Sequence, residues 1–156
     1  MVSHRLHRLL CTTLTTALIH RPQIIHDTMT LRAALSPTEA HSKIKLVYDG
    51  VIDVRMPAEH RLEGQIIDSI CVPAQLWEHG MFLPRDAFVP DVLGYYETGC
   101  RLLCVCGDGR RSALAAQQLA DAGFSVDYID DGLDAWAEQS LELEVEDDGG
   151  LVGSYV

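Results

Sequence analysis

The residues best suited to chemistry stand in one short run, Cys106-Gly107-Asp108-Gly109-Arg110-Arg111-Ser112. A thiol is followed at once by two glycines, two guanidinium groups and a hydroxyl. The glycines allow backbone angles that turn N–H groups inward, so the loop can wrap a small anion. A helix beginning just after them adds a partial positive charge. Arg110 and Arg111 add permanent cations. All three effects favour a thiolate over a thiol and make the Cys106 sulfur a nucleophile. The same cradle suits an anionic sulfur species, either a persulfide or a bound oxyanion. Against this stands a plain reading, in which Cys106 is a small apolar residue that finishes a strand. Its neighbours favour the reactive one.

The other cysteines read differently. Cys104 lies two positions earlier, on the same strand face and deeper. It is expected in the core, with a role as resolving thiol as the lesser alternative. Cys71 reads as packing at the end of another strand, and Cys100 as filler at a strand entry. No Cys-x-x-Cys occurs, and His41, His60 and His79 lack ligand spacing, so no metal is expected. There is no Walker-type phosphate loop, and no cofactor is expected.

Several elements must position the loop. Arg101-Leu-Leu-Cys-Val-Cys106 is a near-continuous apolar run, as in a strand buried on both faces. Arg111–Ala122 is rich in helix formers, and Gly123 suits the position just past a helix end. Phe124–Ile129 reads as the next strand and Leu133–Gln139 as a short helix. Strand, loop, helix and strand in succession make a βαβ unit and imply a parallel sheet. Ligands gather at the carboxyl ends of such strands, where Cys106 stands. Upstream, Ser36-Pro37-Thr38-Glu39 is a capping signature for a helix to about Lys45. The folded body is expected to begin near Leu35. Val51–Val54 reads as a strand entered through Asp49-Gly50 and closed by Pro57. Ile66–Val72 reads as a second short strand, and 74–99 as a mixed stretch with one or two short helices.

The whole chain sets the background. Its 156 residues, 47% hydrophobic and 22% charged, make one domain with short extras. A net charge of −11 gives no general attraction for nucleic acid or anionic membranes. Arg5, Arg8 and Arg21 against Asp27 give residues 1–28 a net +2, which leaves −13 on the rest. Leu6, Leu9, Leu10, Leu14 and Leu18 follow helical spacing there, but no apolar run reaches the ~18 residues of a membrane span. Three readings of this leader stand open: a targeting peptide, a secretory signal, or a chain that truly starts at Met29. A cytoplasmic location is expected, with an organelle or export if the leader is a true targeting peptide. The acid-rich tail, 141–156, is expected to be solvated and mobile.

Four segments in register resemble the rhodanese-like domain family. Cys106-Gly-Asp-Gly-Arg-Arg-Ser112 is similar to the family's active loop, C-x-x-G-x-R-S. Val51-Ile-Asp-Val-Arg55 with Pro57 and Glu59 resembles its first signature. Gly64-Gln65-Ile66 through Val72-Pro73 resembles its second, and Asp131-Gly132-Leu-Asp-Ala135-Trp136 its last. The match runs from about Leu35 to Gln139. It departs from the family at Gln65, where His is usual, and at Asp131, where Gly is common.

The resemblance implies an α/β fold: an open, mostly parallel sheet of about five strands with helices on both faces, spanning 29–140. It implies a sulfurtransferase in which Cys106 becomes a persulfide and passes sulfur to a thiol or cyanide. The amides of Gly107, Asp108, Gly109, Arg110, Arg111 and Ser112 would stabilise that persulfide, and Arg110 and Arg111 would receive donor anions. Asp53, Arg55 and Glu59 would form a scaffold of charges, and Trp136 would lie in the core. The partners implied are a small donor, thiosulfate or a persulfide, and a thiol acceptor or sulfur-carrier protein. Asp108 offsets the loop's cations, so modest thiosulfate activity is expected. Two further functions stand as alternatives. One is a non-catalytic binding or regulatory module of the same fold. The other, a Cys-based phosphatase or arsenate reductase, needs Cys-x5-Arg, whereas Arg111 here makes Cys-x4-Arg.

Overall fold

The computed structural model describes residues 31–145; the leader at 1–28 and the tail from 146 lie outside the described residues. A five-stranded parallel sheet has the order β1-β7-β6-β2-β3. Its strands are β1 (Leu31–Leu35), β2 (Gly50–Asp53), β3 (Ile70–Cys71), β6 (Arg101–Val105) and β7 (Ser125–Ile129). A separate antiparallel hairpin consists of β4 (Gln75–Glu78) and β5 (Met81–Pro84). The helices are α1 (Pro37–Val47), α2 (Pro57–Glu63), α3 (Phe88–Leu93), α4 (Arg110–Asp121) and α5 (Gly132–Glu138).

β6 shows how the sequence makes two cores. Leu102, Cys104 and Cys106 face one cluster with Phe88, Val92, Ala115, Ala116 and Leu119 from α3 and α4. Leu103 and Val105 face the other, with Ala40, Leu133 and Trp136 from α1 and α5. Strand alternation splits the apolar run between the faces, so helices must cover both. Each fully buried Leu contributes about 2–3 kcal/mol on the usual area scale.

Local signals explain several elements. The Ser36 hydroxyl accepts the Glu39 N–H at 3.4 Å, and Glu39 accepts the Ser36 N–H at 3.1 Å, closing the expected capping box. Elsewhere the structure differs from expectation. The body begins with β1 rather than at Leu35, because pairing with β7 overrides the helix-forming sequence Leu-Arg-Ala-Ala-Leu. Pro57 does not merely stop a strand. It opens α2, where its fixed backbone angle suits the first turn. The expected strand 66–72 shrinks to Ile70–Cys71. Part of 74–99 is a hairpin, turned through His79 and Gly80 with φ of 52° and 79°.

Start of the tail also departs from a solvated, mobile segment. Gln65 and Glu144 exchange both backbone hydrogen bonds at 2.8 Å, and Trp136 Nε1 donates to the Glu142 carbonyl at 3.1 Å. Leu141 and Leu143 pack on the second core. The described part of the tail is thus a strap across α5.

Candidate active site

Cys106 follows β6 directly, at the carboxyl end of the sheet, one residue beyond the strand expected to contain it. The chain then turns through Gly107–Gly109 and enters α4, with Gly109 as N-cap at φ 83°. This places the sulfur at the amino end of α4. Cys106 Sγ accepts the Ser112 N–H at 3.3 Å and lies 3.4 Å from Ser112 Oγ. The Ser112 hydroxyl donates to the Gly109 carbonyl at 2.9 Å, which fixes its orientation. Cys106 and Ser112 are both completely buried.

The turn after β7 carries the loop. Leu133 N–H donates to the Cys106 carbonyl at 2.8 Å, and Asp134 N–H to the Gly107 carbonyl at 2.9 Å. In trans peptides this turns the N–H groups of Gly107 and Asp108 away from α5. Gly132 makes the approach possible. Its φ is 59°, and a Cβ there would collide with the carbonyl oxygens of both Cys106 and Gly107. Asp131 also holds a left-handed backbone, at φ 57°. That is the conformation a glycine would take most easily, which explains the residue type usual at this place in the resembled motif. In the sequence Asp131-Gly132 stands only as part of the last resembled motif, outside the cysteine loop. The structure makes it the backing of the loop, a role whose only signal was the glycine.

Charges around the sulfur are paired rather than open. Arg111 binds both oxygens of Glu59, at 2.9 and 2.6 Å. That bond holds the Glu59 carboxyl below its ordinary range against partial burial, and raises the Arg111 guanidinium further. The Phe82 ring of β5 lies against the same guanidinium, 5.0 Å from centroid to carbon. Arg110 is 87% exposed and folds back on Asp108, with Nε to Oδ2 at 2.6 Å. Burial works to raise the Asp108 carboxyl, but Arg110's side-chain and backbone hydrogen bonds and charge keep it below the ordinary range. Asp108 Oδ1 lies 3.8 Å from Cys106 Sγ and also takes the Arg110 N–H at 3.2 Å.

These contacts revise the roles expected from sequence. The structure gathers residues 106–112 as one loop, but the Arg110 amide goes to Asp108 rather than toward the sulfur. Glu59 feels the Arg55 charge, but its hydrogen bonds go to the Met56 N–H and to Arg111. It reaches across to brace the loop through Arg111. Arg55 instead makes a bidentate pair with Asp53, both almost wholly buried, and adds Glu63 at 3.0 Å and the Gly64 carbonyl at 2.6 Å. Trp136 is a core residue, as expected.

Cys104 is wholly buried, and burial pushes its thiol far above the ordinary range. Cys71 Sγ donates to the Arg55 carbonyl at 3.6 Å. Among the described residues no group of His, Cys, Asp and Glu is arranged to hold a metal ion. No described helix is long and apolar enough to cross a membrane.

Comparison with known proteins agrees with this geometry. A search of curated protein sequences returns no match. Among solved structures, a rhodanese-related protein of Thermoplasma volcanium is 23% identical with a TM-score of 0.59, over 74% of this chain and 100% of that one. A rhodanese-like domain protein of Staphylococcus aureus is 23% identical with a TM-score of 0.54, over 72% of this chain and 98% of that one. A thiosulfate sulfurtransferase of Pseudomonas aeruginosa is 21% identical with a TM-score of 0.58, over 72% of this chain and only 20% of that one. Such likenesses establish the fold. The family model for the rhodanese-like domain matches residues 36–139, from the N-cap of α1 to the end of α5 and with the whole Cys106 loop inside it. The chain therefore belongs to the rhodanese-like domain family.

Proposed function

We propose that the protein is a sulfurtransferase that carries sulfane sulfur on Cys106. The observation that supports this most is the Ser112 N–H donated to Cys106 Sγ at the start of α4. An N–H aimed at sulfur from a helix amino end stabilises negative charge there, on a thiolate or on a persulfide. The Cys106 thiolate attacks the outer sulfur of the donor and forms a new S–S bond. The donor's own bond to that sulfur breaks, and its electron pair leaves with the rest of the donor, as sulfite from thiosulfate or a thiolate from a persulfide. The acceptor, a thiolate, cyanide or the thiol of a carrier protein, then takes the outer sulfur and restores the Cys106 thiolate. Gly107 to Ser112 frame the sulfur. Arg111, clamped by Glu59, serves as a brace, and Asp108 serves as an acceptor for the thiol proton. Asp108 also repels dianions, so a persulfide fits this loop better than thiosulfate. A reducing compartment such as the cytoplasm would keep the thiol available.

A second reading has its own observation. Cys106 has no exposed surface, and both loop arginines are already paired. These features suit a rhodanese-fold binding or regulatory module. Phosphatase chemistry has less support, because Arg111 is held by Glu59.

Intact mass after incubation with a sulfane-sulfur donor separates the readings. Wild type should gain the mass of one sulfur atom, removable by reductant, and Cys106→Ser should not. Failure to load from thiosulfate, a persulfide or a thiosulfonate would leave the binding module standing.

A further inference from the structure

We infer that the β4–β5 hairpin is the donor-selecting rim of the site, and that Phe82 and Trp77 favour sulfur donors with an apolar body over inorganic thiosulfate. The inference rests on the sulfur-transfer reading and names the substrate class for that same loop. The hairpin's placement is its first support. Phe82 lies against the Arg111 guanidinium, and that guanidinium reaches to within ordinary contact distance of a Cβ placed at Gly107. Ring, guanidinium and cysteine loop are therefore consecutive neighbours at one edge of the site.

The second support is what the rim offers. Trp77 and Phe82 are directly opposed across the hairpin, so they share a face, and their rings meet edge to face at 4.8 Å. Yet Trp77 is 57% and Phe82 42% exposed. Two aromatic rings left open beside the arginine that flanks the cysteine loop are an apolar surface that a donor's body would cover. Met81 is also exposed, but it pairs with Glu78 and so lies on the opposite face of the hairpin.

The third support is what the loop withholds. A small dianion needs an unspent cation. Arg111 is bidentate to Glu59, Arg110 is folded onto Asp108, and the Asp108 carboxylate itself faces the sulfur. A donor of the form R–SO2–S⁻ carries a single charge and can place R on the rings. Cys106 thiolate forms a bond to its terminal sulfur, the bond between the two donor sulfurs breaks, and the electron pair leaves with the sulfinate R–SO2⁻. Charge and atoms balance, and no other reactant is needed.

The test compares benzenethiosulfonate, methanethiosulfonate and thiosulfate with cyanide as acceptor, alongside sulfur loading by intact mass. Wild type should favour benzenethiosulfonate over thiosulfate in kcat/KM by about tenfold or more, with methanethiosulfonate between them. Phe82→Ala should remove about tenfold of the rate with benzenethiosulfonate and change thiosulfate by less than about twofold. Trp77→Ala should act in the same direction, and Met81→Ala should leave all three unchanged. The donor series on wild type needs no variant to fold, and Phe82→Leu gives a milder replacement. Equal use of the three donors by wild type would overturn the inference while sulfur transfer stands. An equal loss for all donors in Phe82→Ala would also overturn it, making Phe82 a support for Arg111 alone. If no donor loads Cys106, the sulfur-transfer reading falls and takes the inference with it.

Discussion

β6 and the position just past its carboxyl end carry two cysteines, Cys104 and Cys106, that are alike in type and in burial. Cys104 and Cys106 face the same core cluster, and both are completely buried. Around Cys104 the neighbours are mostly apolar, and burial, helped by the nearby Cys106, drives its thiol away from ionisation. Around Cys106 the strand has ended, and the buried space holds the Ser112 N–H, the Ser112 hydroxyl and the Asp108 carboxylate. Exposure does not separate the two sites, and neither does residue type. What separates them is which polar groups the loop and the helix start bring up to the buried sulfur.

The sharpest break of this comparison is to remove each thiol in turn. Cys106→Ala should abolish sulfur loading by intact mass, whereas Cys104→Ala should load at the wild-type rate and lose about 1–2 kcal/mol of stability in denaturant melts. Loss of loading in Cys104→Ala would mean that the two ends of the strand act together. Next in size is Gly132→Ala, which leaves both cysteines in place but pushes on the loop carbonyls. It combines a left-handed backbone with a steric clash, so a loss of about 3 kcal/mol is expected. Loading should slow by about a hundredfold, because the loop moves off its geometry. A Gly132→Ala protein with wild-type loading would show that α5 does not position the loop.

The smallest expected effect tests the brace. Glu59→Gln weakens the Arg111 clamp and should cost about 1–2 kcal/mol at neutral pH, since neither partner is strongly exposed. The folded Glu59 carboxyl lies below its ordinary value of 4.5, so the pair contributes fully above that pH and fades as pH falls through the folded value. The gap in stability between wild type and Glu59→Gln should therefore close in acid below about 4.5. A gap that stays constant down to pH 3 would place the effect of Glu59 in packing instead.

Much of this molecule was legible in the residues. The split of the apolar run Arg101–Val105 between two cores follows from strand periodicity, and the α1 cap from Ser36 and Glu39 three residues apart. The Cys106 loop was legible because glycines and a helix start leave few ways to fold. Three features were not legible, for distinct reasons. β1 has helix-forming residues and becomes a strand only because β7 offers a partner. Pro57 reads as the stop of a strand, yet its fixed backbone angle equally suits the first turn of α2, where the structure has it. The hairpin tip, His79-Gly80, gave a weak turn signal inside a stretch with no clear period.

By itself the sequence determined what depends on neighbours in the chain: the strand, the turn and the helix that set Cys106 at a junction, and the supply of cations nearby. Asp108, two positions from Arg110, already offsets that cation locally, but only the tertiary structure decided how Arg111 is spent. Glu59 is 52 positions from Arg111 in the chain, and Phe82 comes from a separate hairpin, yet both meet the same guanidinium. Such pairings depend on how distant elements pack. Ionic and aromatic contacts act over a few ångströms of space, and a local pattern carries no record of that distance.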